Sequence, residues 1–343
     1  MKLVLAAFAA ALMAVPAAAE NWADSASSAT LDPEYPRSQA ICRSLKRVSP
    51  PAADRPNRSE VAALKGCSSE ALYYGIGRPP DPVRARQCAF LQRGSSQGPP
   101  DLSGDTMLMI IYANGVGATR NLDVAISLAC QLGGAPAEEN GRVLHLAKLK
   151  AEHWTGTDFS FCDDATSGFA GGVCAAHDAA IADAKRRQAF AGVTAGWNDA
   201  DKRAFVPLQK AEKAFVDAHD AEVDASGTLR AAMAIDEEQS QQADFLAMLR
   251  ALAEGKAPVA SPEQLEAADA KLNATYKKVQ QTADPSRWGT VTKDGIRSTQ
   301  RAWLRYRDAW VAFAKVKYPA VSADSIRAWL TDQRTAMLEG FLA

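Results

Sequence analysis

The sequence lacks an excess of charge of either sign, since 39 Lys and Arg offset 40 Asp and Glu for a formal net charge of −1. Such a balance predicts no general attraction to nucleic acid or to anionic lipid. β-branched runs are scarce and alanine is abundant, which predicts a nearly all-α fold. At 343 residues, the chain is long enough for about two domains.

Cysteine is absent after residue 174. Six cysteines lie at or before that residue, and their even number predicts three disulfides in an oxidising compartment. Paired C-x-x-C spacings are also absent, so structural zinc is a poor alternative. Sequence alone leaves the pairing open. We expect the bonds Cys42–Cys67, Cys88–Cys130 and Cys162–Cys174, with Cys67–Cys88 as the main rival.

Sequence patterns typical of a catalytic site are missing as well. The histidines have no metal-ligand spacing, and neither a Ser-His-Asp nor a Cys-His set stands out. Asp163 and Asp164 could bind a cation, although a helix cap or turn role is favoured. We therefore predict a protein that is not an enzyme and has no metal or cofactor. The rival is a cell-envelope enzyme acting on peptidoglycan, which would need two carboxylates across a sugar-sized cleft.

The first nineteen residues, "MKLVLAAFAAALMAVPAAA", have the layout of a secretory signal peptide. Lys2 precedes an apolar run that is too short to span a bilayer, and small residues follow Pro16. We expect cleavage after Ala19 and a periplasmic or secreted chain that is not embedded in a membrane. Cysteine does not follow the small residues, so lipid attachment there is not expected.

Two segments forty residues apart, 73–94 and 113–134, repeat a G-x-G element followed by an alanine, Ala85 or Ala125. Each predicts a helix, a glycine-bearing turn and a second helix. An alanine at this position would let the second helix lie close to the first. A nucleotide site is not expected, because the glycines follow a helix and no third glycine is present. "YANGVGATRNLDVAISLA" resembles the Sel-one-like repeat (SLR), a relative of the tetratricopeptide repeat. The resemblance implies a solenoid that binds protein; the alternative is a helical spacer.

A second repeat relates "AEKAFVDAHDAE" (211–222) to "TQRAWLRYRDAW" (299–310). It predicts a duplicated helical module over residues 174–255 and 262–343. The first copy carries a net charge of −4 between residues 174 and 250, and the second carries +4 between residues 261 and 343.

The second copy resembles the LprI-type lysozyme-inhibitor family over about the last eighty residues. The first copy keeps only Phe215, Asp220 and a few other positions, so it would be degenerate. The family often has cysteines after its "YRD" segment, and this chain has none there. Within the family pattern, we expect Arg307 and Asp308 to bond the closing helix that carries Gln333 and Arg334. The matching positions are Leu272, Asn273, Tyr276, Gln300, Arg301, Trp303, Arg307, Asp308, Gln333 and Arg334.

Two features of the second copy decide between packing and binding. Trp303, Tyr306, Trp310 and Phe313 fall on one helical face, which predicts a buried stripe and not a nucleic-acid groove. The loop of residues 281–295 contains Trp288, which is either an exposed anchor for a partner or folded back onto its own module.

These patterns predict an exported helical protein that binds a protein partner. The most specific form of this prediction is that the partner is lysozyme and that the chain inhibits it. An acidic face would favour a basic lysozyme, yet the better family match is the basic copy. A purely structural envelope factor is a further alternative. The predicted domains are 1–19 (signal peptide), 20–58 (N-terminal segment with a Pro-rich linker), 59–160 (SLR-like repeats), 161–260 (disulfide loop and degenerate unit) and 261–343 (LprI-like domain).

Overall fold

The computed structural model describes residues 21–25, 33–93 and 101–343; the predicted signal peptide lies outside them. Within those ranges the chain has thirteen α-helices and no strand, so the all-α prediction is confirmed. None of the described helices combines the length and the apolar character that crossing a membrane requires. The chain divides into two compact units, residues 1–166 and 167–343. The finer domain boundaries stay predictions.

The first unit is a row of short helices in which each helix from α3 to α7 contacts the next one along the chain. Helix α1 packs on α7. The helices are α1 (Tyr35–Ser44), α2 (Arg58–Ala63), α3 (Ser69–Tyr74), α4 (Pro82–Gln92), α5 (Gly104–Asn114), α6 (Leu122–Ala129) and α7 (Pro136–Ala151).

Glycines end the first helix of each predicted hairpin. Gly75 and Gly115 follow α3 and α5 with φ of 72° and 66°, the left-handed backbone that glycine adopts without strain. Gly117 allows a close approach between hairpins, since a Cβ there would lie 2.3 Å from the Pro82 carbonyl oxygen. Ala85 and Ala125 are fully buried, so the helices pack closely. The predicted helix–turn–helix order is confirmed in both segments.

The disulfides of the first unit correct two predicted pairings. Cys42 bonds Cys130, with Cα atoms 5.8 Å apart, and Cys67 bonds Cys88, with Cα atoms 6.0 Å apart. The predicted bonds Cys42–Cys67 and Cys88–Cys130 are therefore wrong, and the rival Cys67–Cys88 is right. Tertiary packing decides the pairing: Cys67 precedes α3, which packs on the helix of Cys88, whereas Cys42 lies on α1, which packs on α7.

Cys162 and Cys174 are each disulfide-bonded as well, and none of the six cysteines is free. The bond predicted between these two cysteines stays a prediction.

The second unit consists of two three-helix halves with the same order of packing. In each half the first helix packs on the third, so α8 contacts α10 and α11 contacts α13. The two middle helices, α9 and α12, pack on each other and join the halves. The helices are α8 (Gly168–Thr194), α9 (Asp199–His219), α10 (Arg230–Ala253), α11 (Pro262–Gln281), α12 (Lys293–Lys317) and α13 (Ala323–Glu339).

Aromatic rings fill the contact between α9 and α12. The predicted stripe of Trp303, Tyr306, Trp310 and Phe313 is buried, as its helical periodicity requires. The ring of Phe215 on α9 stacks on Tyr306 at 5.1 Å between centroids and 13° between planes. The halves thus share one core, so neither would keep its apolar surface covered without the other.

Candidate functional site

A buried ion pair connects the two halves of the second unit. Arg334 on α13 donates two hydrogen bonds to the Glu222 carboxylate, at 2.7 and 2.5 Å, and neither side chain is more than 1 % exposed. Arg334 Nε also donates to Gln300 Oε1 on α12 at 2.8 Å. Glu222 lies in a short 3-10 turn, Asp220–Glu222, that directly follows α9. A residue of the upstream half therefore completes the hydrogen bonding of the downstream half.

His219, the last residue of α9, extends this cluster towards α10. Its Nδ1 lies 3.1 Å from Glu222 Oε2, an ion-pair contact whose angle is poor for a hydrogen bond, and its Nε2 lies 2.8 Å from Glu237 Oε1. The imidazole stacks on Phe215 at 5.6 Å. The end of α9 is fixed by Thr299, whose hydroxyl donates to the Ala218 carbonyl at 2.6 Å. The end of α9, the 3-10 turn and α10 thus meet at His219, and α12 contacts the residue before it.

The charges in this cluster stabilise one another. Burial lowers the pKa of His219, but the carboxylates of Glu222 and Glu237 outweigh burial and raise it above the usual 6.5. Burial raises the pKa of Glu222, yet the hydrogen-bonded guanidinium of Arg334 and the imidazole of His219 beside it hold that pKa below the usual 4.5. The hydrogen bond from His219 likewise lowers the pKa of Glu237. At mildly acidic pH, the cluster favours a charged histidine between two charged carboxylates.

A cleft of about 300 Å³ opens beside His219, between the end of α9 and the first half of α10. Apolar side chains and carboxylates share its wall. The lining residues are Val216, Asp217, His219, Asp220, Val223, Ala234, Ile235, Glu237, Glu238 and Gln241.

The residues of the family pattern separate into two polar contacts. Arg334 and Gln300 join the cluster described above, whereas Arg307 donates to Asp269 on α11 at 3.1 Å and to Thr331 on α13 at 3.3 Å. The guanidinium of Arg307 also lies over the Trp303 ring, 4.9 Å from its centroid.

The expectation that Arg307 bonds the closing helix is confirmed, since Arg307 donates to Thr331 on α13. Asp308, expected to do the same, is exposed. The side chain of Arg334 bonds Glu222 and not Arg307 or Asp308. The remaining pattern residues include one buried side chain, Leu272, and two half-buried ones, Tyr276 and Gln333; Asn273 and Arg301 are exposed.

Trp288 does not serve as an exposed anchor. It is 5 % exposed, its Nε1 donates to the Phe341 carbonyl at 2.9 Å, and its ring meets Phe341 edge to face. A 3-10 turn, Ser286–Trp288, directs the indole onto the C-terminal residues. The prediction of Trp288 as a binding residue is therefore corrected, and the alternative that it folds back onto its own half is right.

Asp163 and Asp164 have local structural partners in the first unit. Asp163 accepts from the Ser160 amide at 2.8 Å and completes a capping box. Asp164 Oδ2 lies 3.1 Å from His145 Nδ1. The cap interpretation is confirmed for Asp163, whereas Asp164 pairs with His145 on α7. Over the described ranges, no three His, Cys, Asp or Glu side chains are grouped so that they could hold a metal ion.

One known protein family matches a range of residues that covers most of the downstream half. Residues 257–338 match the family model described as Lysozyme inhibitor LprI. The resemblance predicted for the last eighty residues is confirmed over this range. No curated protein and no solved structure matches the chain. The matched range contains Gln300 and Arg334, but it begins at residue 257 and so does not include Glu222.

Sequence reasoning missed His219, Glu222 and Glu237 as a cluster. One local signal was present, because His219 and Glu222 are three residues apart at the end of a predicted helix, a spacing that brings side chains together. Their long-range partner could not be found in this way, since Arg334 lies 112 residues from Glu222.

Proposed function

We propose that this chain is an exported, non-enzymatic helical protein that binds lysozyme and inhibits it through the unit of residues 167–343. The observation that carries the proposal is the match of residues 257–338 to the lysozyme-inhibitor family. We expect the inhibitor to act through its protein surface, because the side chains of Arg334, Glu222 and His219 bond one another inside the unit.

The inhibiting unit includes the upstream half. That half has the same helix order as the matched one, supplies the carboxylate for Arg334 and shares the aromatic core between α9 and α12. These features support its assignment as a degenerate second copy of the same module.

Export agrees with the disulfides, since such bonds persist in oxidising compartments and not in the cytosol. We place the mature N-terminus just after Ala19, in the periplasm or outside the cell. The glycine-capped hairpins within residues 59–160, which resemble SLR repeats, would offer a second surface for a protein partner.

A turbidity assay tests the proposal. The chain beginning at residue 20 is added in several-fold molar excess to purified c-, g- and i-type lysozymes acting on suspended cell walls. We expect slower clearing with at least one class, together with a complex detectable by calorimetry. Lysozyme rates that stay unchanged in all three classes, with no complex formed, would show that the proposed function is wrong.

A control separates inhibition from competition for the cell wall. The chain alone is sedimented with the same walls, and calorimetry is repeated with lysozyme in their absence. Slower clearing without a lysozyme complex, accompanied by binding to the walls, would also contradict the proposal.

A further inference from the structure

The acidic character of the upstream half is concentrated around the His219 cleft. Residues 216–241 contain seven carboxylates and a single arginine, Arg230. The carboxylates are Asp217, Asp220, Glu222, Asp224, Asp236, Glu237 and Glu238. A surface of this composition attracts cations along the approach and raises the association rate of a basic partner.

The carboxylates at the cleft have different partners. Glu222 and Glu237 are tied to Arg334 and His219, so they shape the inner wall. Asp217 is paired with Lys213 at 2.8 Å. The two rim carboxylates Asp220 and Glu238 are exposed, and neither forms an ion pair among the described residues, although Glu238 Oε1 accepts a hydrogen bond from Gln242 Nε2 at 2.8 Å. They remain available to a charge that arrives from outside.

The cleft also has an apolar surface at its wall. Val216 and Val223 come from the α9 side, and Ala234 and Ile235 come from α10; all four are partly exposed. A volume of about 300 Å³ is open to solvent beside them. Long basic side chains match this combination, because their methylene stems pack on apolar surface while the charged head stays at a polar rim. Guanidinium and ammonium groups then form charge-assisted hydrogen bonds with carboxylates.

From the shape and the charge together we infer that the His219 cleft is the docking site for a lysine or arginine side chain of a basic protein partner. The inference rests on the proposed function and adds to it the surface used: the acidic upstream half, and not the basic half that matches the family. The −4 charge of residues 174–250 complements a basic lysozyme, whereas the +4 charge of residues 261–343 does not.

Two double variants of the chain from residue 20 onward test the docking site. Asp220→Asn/Glu238→Gln removes the two rim charges without changing side-chain shape. Asp178→Asn/Glu266→Gln is the matched control, since both residues are exposed, lie outside the cleft lining and change charge by the same amount. Each protein is titrated with a hexa-arginine peptide and, separately, with a basic c-type lysozyme, by calorimetry at low and physiological salt.

We expect the rim variant to bind both ligands about tenfold or more weakly than the unmodified chain, because each rim charge lost removes a close ion pair. The control should stay within about twofold, and thermal melts should be the same for all three proteins. Equal weakening in the rim variant and the control, or no weakening in either, overturns the docking site.

The two ligands keep the docking site and the proposed function apart. Peptide binding that depends on the rim, without any lysozyme complex, supports the cleft as a cation-binding surface and contradicts the lysozyme proposal. Lysozyme binding that is insensitive to the rim, together with rim-independent peptide binding, supports the lysozyme proposal and shows that the cleft is not the contact.

Discussion

At the scale of single residues, Arg334 depends most on its hydrogen-bond partners, because its charge is buried. A guanidinium that is fully buried loses its hydration, and only good hydrogen-bond geometry offsets that loss. Glu222 and Gln300 provide three such bonds between them. The pair therefore contributes less to net stability than its bonds suggest, but removing one member leaves a charge without a partner.

Glu222→Gln is predicted to lower the free energy of unfolding by about 3–5 kcal/mol, the range found when one member of a buried pair is lost. The double variant Glu222→Gln/Arg334→Met should recover part of that loss, because it also removes the stranded charge. Urea unfolding at neutral pH measures both. A single variant as stable as the unmodified chain would mean that solvent reaches Arg334.

Trp303→Ala is predicted to destabilise the second unit by about 3–5 kcal/mol, since its ring is buried and its loss leaves a cavity. Its neighbour Arg305 is exposed on the same helix, so Arg305→Ala should change stability by less than about 0.5 kcal/mol. Urea melts of the two variants give the comparison, and equal stabilities would contradict the burial of the stripe.

At the scale of elements, the joint between α9 and α10 depends on a histidine held between two carboxylates. A protonated His219 attracts Glu222 and Glu237, and a neutral one leaves the two carboxylates facing each other across it. The contacts of this joint are therefore strongest when the histidine is charged and both carboxylates are ionised.

The pH dependence of stability follows from the pKa shifts. His219 has a raised pKa, so its contribution is complete below pH 6.5 and is lost as pH rises through the folded-state pKa. Glu222 has a lowered pKa, so its contribution is complete above pH 4.5 and is lost as pH falls through the folded-state pKa. We predict that the cluster's contribution to the free energy of unfolding is greatest between about pH 4.5 and 6.5.

Urea unfolding from pH 4 to pH 9 checks this profile. His219→Gln should remove the decline on the alkaline side, whereas His153→Asn should keep it. His153 is an exposed histidine with φ of 51°, a backbone conformation that asparagine tolerates. If the free energy of unfolding still declines at alkaline pH in His219→Gln, the decline belongs to another titratable group.

Elements whose contacts are local could be predicted from the sequence, and those set by tertiary packing could not. The Trp303 stripe follows from helical periodicity, and Gly115 follows from the left-handed backbone that ends a helix. The bond between Cys42 and Cys130 spans 88 residues and depends on where α1 packs. The pairing of Glu222 with Arg334 and the inward turn of Trp288 likewise depend on the assembled bundle, which no local pattern describes.

At the scale of the whole molecule, covalent links constrain the first unit. The bond Cys42–Cys130 closes a loop with a sequence separation of 88, against 21 for Cys67–Cys88. Cross-links that close longer loops restrict the unfolded chain more, which raises the free energy of that state.

Loss of the longer link should therefore cost more. On chain-entropy grounds, Cys42→Ser/Cys130→Ser is predicted to lower stability by about 4–5 kcal/mol, and Cys67→Ser/Cys88→Ser by about 3 kcal/mol. Thermal melts of the two variants test the order. Peptide mapping of the unreduced chain should give these two bonds and Cys162–Cys174; the pairs Cys42–Cys67 or Cys88–Cys130 would contradict the fold of this unit.

The ion pair between Glu222 and Arg334 has a consequence for inheritance. The carboxylate lies upstream of the range that matches the family, and the guanidinium lies within it. A gene rearrangement that exchanged or deleted one half would strand a charge in the interior of the other. We therefore expect the two halves to be inherited as a single block, in which positions 222 and 334 change together.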